Sequence, residues 1–190
     1  MPGALPRISK PSISLDVCMV SPEYNPDELF DVCDADDQVI GQETRSVVHA
    51  QNLLHRAVHI WVWTPRQEMY LHLRSASKDQ YPLCFTSSAS GHVDAGEEYG
   101  DAAVRELGEE LELQGTLQCL TKLPASDSTA FEHTVLYLLV TEEIPTPDPA
   151  EIQELLLLPV TEIARWVQSE PDRFTPPFRE LMSWWRSQNP

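Results

Sequence analysis

The chain has 190 residues, 42% of them hydrophobic, and a formal net charge of -17 at pH 7. That length and apolar content suit one domain with a buried core and exclude wholesale disorder. The acidic balance excludes a broad nucleic-acid or anionic-membrane footprint, which needs clustered Lys and Arg; a small phosphorylated substrate stays open, because a bound cation inverts the local field.

Residues 1–26 carry prolines at 2, 6, 11, 22 and 26 and little periodicity, so an arm is expected there, with the folded domain over 27–190. No apolar run approaches the ~20 residues that span a bilayer, and the N-terminus lacks the apolar stretch of a signal peptide. Cys18, Cys33, Cys84 and Cys119 form no CxxC pair. These features lead us to expect a cytoplasmic protein with free thiols and with neither membrane nor nucleic acid as partner.

Asp27 to Arg45 reads as a hairpin, with strands at Leu29–Cys33 and around Val39 across an acidic turn. HRAVHIWVW, His55 to Trp63, is the strongest strand signal. Val58, Ile60 and Val62 point one way and His59, Trp61 and Trp63 the other, so both faces need cover. EMYLHLRS is a second strand, and KDQYPLCFTSSASGHV reads as a loop. Asp101 to Leu111 lacks proline and is rich in helix formers, which predicts a helix with Val104, Leu107 and Leu111 as its core stripe. Thr116–Leu123 and His133–Glu143 read as strands, Leu155–Leu158 as a short strand behind a proline-rich link, and Thr161–Gln168 as a helix. The tail spaces Phe178, Leu181, Met182 and Trp185 for a core-facing helix. Strands and helices in this mixed order predict an α/β (α+β) fold, a mixed sheet inside an α/β/α sandwich.

GHVDAGEEYGDAAVRELGEELEL, Gly91 to Leu113, packs eight carboxylates into 23 residues. At ~100° per residue, Glu106, Glu109 and Glu110 share an arc of roughly 100°. On spacing alone this is either a solvated helix face or a cation site. Like charges at i,i+4 repel by a few tenths of a kcal/mol, and a hard divalent cation with oxygen ligands reverses that sign.

The segment resembles the Nudix box, G-x5-E-x7-R-E-U-x-E-E-x-G-U with U aliphatic. Gly91, Glu97, Arg105, Glu106, Leu107, Glu109, Glu110 and Leu113 match in register. Glu112 departs: it stands where the box has a glycine, at a helix end where left-handed backbone is common and a β-carbon is penalised. Either the turn there is rearranged or Glu112 is strained. The resemblance implies a loop–helix–loop site that holds Mg²⁺ or Mn²⁺ against a diphosphate. Glu106, Glu109 and Glu110 match the metal-binding glutamates, and Glu97 a metal-binding or supporting one. Arg105 would orient Glu106 or Glu97. The proton of an attacking water would go to Glu109, Glu110 or a carboxylate from a loop.

From about Asp27 to Val167 the chain is similar to the isopentenyl-diphosphate isomerase-type branch of the superfamily, which holds both isomerases and hydrolases. The isomerases carry a cysteine just before the Gly-His that opens their box. Here Ser90 occupies that position, and its hydroxyl is a far weaker acid than a thiol of pKa near ~8.5. The isomerases also bind a metal through three histidines and two glutamates. His92 and His55 match two of those histidines, and His49 lies near the third with altered spacing. Glu132 matches one glutamate, and Ala130 stands where the other would be. Arg74 and Lys78 match positions that face substrate phosphates, where Arg makes bidentate contacts and Lys acts as a point charge. Trp61 and Trp63 are expected to pack rather than to stack on a base. The expected function is a Mg²⁺- or Mn²⁺-dependent hydrolase that cleaves a diphosphate linkage in a small molecule, such as a nucleoside diphosphate linked to another moiety. An isomerase-like enzyme and a non-catalytic binding module are the alternatives. A homodimer is expected by analogy alone.

Overall fold

The computed structural model describes residues 25–189, so nearly all of the expected arm lies outside the described residues. In chain order the elements are β1 (Leu29–Cys33), β2 (Val39–Thr44), α1 (Arg45–Gln51), β3 (His55–Trp63), β4 (Glu68–Arg74), β5 (Phe85–Thr86), β6 (Ala89–His92), α2 (Tyr99–Leu111), β7 (Gln118–Leu123), β8 (Glu132–Val140), β9 (Ile152–Pro159), α3 (Val160–Ser169) and α4 (Pro176–Gln188). β1 and β2 form a separate hairpin; the other seven strands form one mixed sheet in the order β5-β4-β3-β8-β7, with β6 on β3 and β9 on β4. β3 and β8 run parallel, while β3 pairs antiparallel with β6 and β4 antiparallel with β9.

The alternation along β3 sorts the two cores. Val58, Ile60 and Val62 pack with Ala103, Leu107 and Leu111 of α2. Trp61 packs on the other face against Ile163 of α3 and Phe178, Leu181 and Met182 of α4, with Trp63 and Trp185 beside them. The expected α/β/α sandwich follows; Trp61 is a core residue and Trp63 packs, partly buried, against that core. Among the described residues, no helix is long and apolar enough to cross a membrane.

Four expectations need correction. The segment read as a loop contains β5 and β6, strands of two and four residues. They are too short to show alternation, and pairing with β4 and β3 defines them. Helix α1 was not foreseen. β9 runs from Ile152 rather than Leu155, because pairing with β4 extends it past its apolar centre. Val104 is 57% exposed and outside the core stripe. The buried arc of α2 is rotated toward the carboxylate side, taking in Ala102, Glu106 and Glu110 and turning Val104 out.

Glu112 ends α2 in the left-handed region, at φ 53°, with its N–H donating to the Gly108 carbonyl at 3.1 Å and the Leu113 N–H donating to the Leu107 carbonyl at 3.4 Å. The turn has therefore kept the geometry a glycine would adopt, and the β-carbon bears the strain.

Candidate active site

Glu106 and Glu110, one turn apart on α2, are 9% and 3% exposed, whereas the Glu109 side chain is 62% exposed. The buried pair is possible because β6 presents Gly91 to the helix. A β-carbon at Gly91 would sit 2.0 Å from Glu106 Oε1. Arg105 ties the box together. Its Nη1 donates to Glu106 Oε1 at 2.6 Å and to Glu109 Oε2 at 3.3 Å. Its Nε and Nη2 donate to the two Glu97 oxygens at 3.1 and 2.9 Å, and Nη2 also reaches the His92 carbonyl at 3.0 Å. Glu97 Oε2 accepts the Asp94 N–H as well, at 3.1 Å. Both Glu97 oxygens are thus occupied, and Glu97 fixes the guanidinium that fixes Glu106.

Glu110 Oε2 accepts one backbone N–H, from Ser90 at 3.2 Å, and lies 3.6 Å from His72 Nδ1. Burial, together with the charge of Glu106, pushes its carboxyl well above the ordinary range. Burial also raises Glu106, against the pull of Arg105. Two buried carboxylates with few donors and a raised proton affinity are a fitting donor set for a hard divalent cation.

These carboxylates line a cavity of about 460 Å³ whose lining also includes Arg74 and Lys78. The volume is in the range of small-molecule sites. Neither cation idles there: Arg74 donates to the Gln80 carbonyl at 3.2 and 3.0 Å, and Lys78 Nζ to Glu151 Oε2 at 2.5 Å. Sequence reasoning missed Glu151. It follows a proline-rich link with no local pattern, and only the pairing of β9 with β4 brings it to the cavity.

A second cluster lies beside the first. Strand register builds it: His55 pairs with Glu132 across β3 and β8, and Ala57 pairs with His92 across β3 and β6. Helix α1 adds His49, and the ligand nitrogens of His49, His55 and His92 all lie within 4.8 Å of one another. His92 Nε2 is 3.3 Å from His49 Nε2 and 3.6 Å from Glu132 Oε1. His55 Nδ1 lies 2.9 Å from the Leu53 carbonyl. A carbonyl only accepts, so Nδ1 carries the proton and Nε2 the lone pair. That Nε2 is buried with no partner. Desolvation lowers His55 to about 4 and His92 well below its ordinary value, which keeps both neutral. Burial pushes Glu132 up to about 8. Phe30 stacks on two of these rings, 4.6 Å from His92 and 5.8 Å from His55 between ring centroids. Neutral imidazoles converging beside a carboxylate suit a borderline-soft metal ion.

His49 was left out of the expected ligand set because of its spacing, yet it sits as close as the others; α1 absorbs the offset. Ala130, at φ 55°, contributes no carboxylate. Ser90 lines both the large cavity and a smaller one of about 60 Å³ that also holds Glu132. Asp94 has one carboxylate oxygen buried without a partner.

A family profile described as NUDIX domain matches residues 53–184. The chain belongs to the Nudix family. An isopentenyl-diphosphate Delta-isomerase of Serratia proteamaculans is 30% identical over 82% of this Nudix chain and 90% of its own. An uncharacterized Nudix hydrolase of Yersinia pestis is 30% identical over 85% and 87%. One of Streptomyces coelicolor is 40% identical over 47% of this chain; the match spans 49% of that relative, about half its length. A crystal structure from Deinococcus radiodurans shares the fold with a TM-score of 0.73 at 22% identity, covering 82% of this chain and 98% of that one. Hydrolase and isomerase names both occur among these relatives, consistent with the isopentenyl-diphosphate isomerase-type branch of the Nudix family.

Proposed function

We propose that this Nudix protein is a Mg²⁺- or Mn²⁺-dependent hydrolase that cleaves a diphosphate linkage in a small molecule. The observation that carries this reading is the buried Glu106–Glu110 pair, with Glu106 held by Arg105, lining one cavity together with Arg74 and Lys78. Glu106, Glu109 and Glu110 would hold the cation, which when bound supplies charge neutralisation at the phosphates and a more acidic water. Arg105 keeps Glu106 in place, and Glu97 keeps Arg105 in place. Arg74 and Lys78 meet the phosphate charge, Lys78 by leaving Glu151. Glu109, Glu110 and Glu151 are the carboxylates available to take the proton of the attacking water. His55, His92 and Glu132, now joined by His49, would hold a second metal ion. Cys33, Cys84 and Cys119 are free thiols, which suits the cytoplasmic location expected from the sequence.

The histidine cluster favours a second reading, an isomerase-like enzyme acting on an isoprenoid diphosphate. Ser90 weighs against it, because a serine hydroxyl is a poor acid for protonating an alkene. Ala130 weighs against it too.

The test is a panel of diphosphate compounds with Mg²⁺ or Mn²⁺, following released phosphate or nucleotide, beside a Glu109→Gln/Glu110→Gln variant. Activity that the variant loses is expected. Equal turnover by the variant would sink the carboxylate mechanism. Double-bond migration in isopentenyl diphosphate without phosphate release would replace hydrolysis by isomerisation.

A further inference from the structure

We propose that Asp79 is a positioning residue that selects the tautomer of His49 and thereby completes the histidine cluster as a transition-metal site. This rests on reading that cluster as a metal site. Asp79 Oδ2 lies 3.6 Å from His49 Nδ1, within ion-pair reach and long for a formed hydrogen bond. The carboxylate is itself held in place: Arg45 Nη2 donates to Oδ1 at 3.2 Å, and the Gln80 N–H donates to Oδ1 at 2.9 Å. Arg45 is braced in turn by Glu28 at 3.1 Å. A lone pair on Nδ1 would face this anion and be repelled, whereas a proton there is attracted. His49 therefore carries its proton on Nδ1 and its lone pair on Nε2, 3.3 Å from His92 Nε2. The Leu53 carbonyl imposes the same tautomer on His55. Outer partners thus aim two of the three imidazoles from behind, which is how metal-binding histidines are oriented. Asp79 makes its ion pair with Arg45 at 3.2 Å. Its neighbour Lys78 faces the carboxylate cavity, so one loop serves both clusters.

Co²⁺ titration followed by visible absorption tests the proposal, alongside nitrogen NMR shifts of His49 in the metal-free protein. The wild type is expected to show a Co²⁺ band that His55→Ala removes and the Nδ1–H tautomer at His49. Asp79→Ala is expected to lower Co²⁺ affinity by about 10- to 100-fold. Asp79→Asn, which keeps an acceptor oxygen, recovers part of the loss and carries the test if Asp79→Ala does not fold. Glu28→Gln, which weakens one brace on Arg45 but leaves the Asp79 carboxylate in place, lowers affinity less than Asp79→Ala does. Wild-type affinity in both Asp79 variants, or an Nε2–H tautomer in the wild type, overturns the role of Asp79 while leaving the metal site standing. Equal losses in Glu28→Gln and Asp79→Ala assign the effect to loop packing and also overturn it. No His55-dependent band in the wild type overturns the metal site and the proposal together.

Discussion

Gly91→Ala is the sharpest perturbation of the carboxylate site. The new β-carbon would lie 2.0 Å from Glu106 Oε1, 2.1 Å from its Cδ and 2.5 Å from Oε2. Contacts between heavy atoms settle near ~3.5 Å, so the carboxylate must retreat by roughly 1.5 Å. It is the far end of a flexible side chain, so the fold survives and the ligand moves. Retreat breaks the 2.6 Å bond from Arg105, a charge-assisted contact. Such contacts contribute about 1.5–3 kcal/mol. At ~1.4 kcal/mol per tenfold, that is roughly a 10- to 100-fold loss of affinity for a cation held by Glu106. A displacement of ~1 Å in a catalytic group can lower turnover about 100-fold. Mn²⁺ binding followed by electron paramagnetic resonance, and metal-dependent release of phosphate from the substrate that the panel identifies, would measure both. A folded Gly91→Ala variant with wild-type Mn²⁺ affinity would refute the claim that this glycine makes room for Glu106.

Other predictions follow from the same features. Glu112→Gly relieves a left-handed β-carbon at φ 53°. The relief is about 1 kcal/mol, less the chain entropy that glycine adds, and at most a few degrees in Tm by calorimetry; a lower Tm would contradict the strain. The metal-free protein should lose stability as pH rises above about 6.5, where histidines are neutral in the folded and unfolded states alike. Glu106, Glu110 and Glu132 all have carboxyls raised by burial, so the folded state holds more protons than the unfolded chain. Their contribution is complete below the ordinary carboxylate range and is lost as pH climbs toward the folded value, about 8 for Glu132. Tm in the presence of a chelator should therefore fall between about pH 7 and 8, above the range in which the buried neutral histidines give the opposite slope, and Mn²⁺ should restore it, because a cation favours the charged form. A metal-free Tm that rises over this interval would reverse the assignment of those carboxyls.

Much of this was legible in the chain itself. The two-sided alternation of β3 predicted cover on both faces, and Trp61 and Val62 indeed face opposite cores. The register of Gly91, Arg105, Glu106, Glu109 and Glu110 located the carboxylate cluster, because all lie within one local segment whose helical period can be counted. Val104 shows where counting stops. It shares the nominal stripe of Leu107 and Leu111, yet burial of Glu106 and Glu110 rotates the helix and exposes it. β5 and β6 were invisible for a related reason: so few residues show no alternation, and they are strands only because β4 and β3 lie beside them.

The sequence by itself determined the sandwich, the carboxylate box and the departures at Ser90 and Glu112, all of them local patterns. Only the tertiary structure decided that His49 joins His55 and His92, and that Glu151 and Asp79 stand behind Lys78 and His49. Those contacts join α1, the loop after β4, the loop before β9 and strands β3 and β6, and their distances are set by strand pairing and helix placement. No spacing along the chain encodes them.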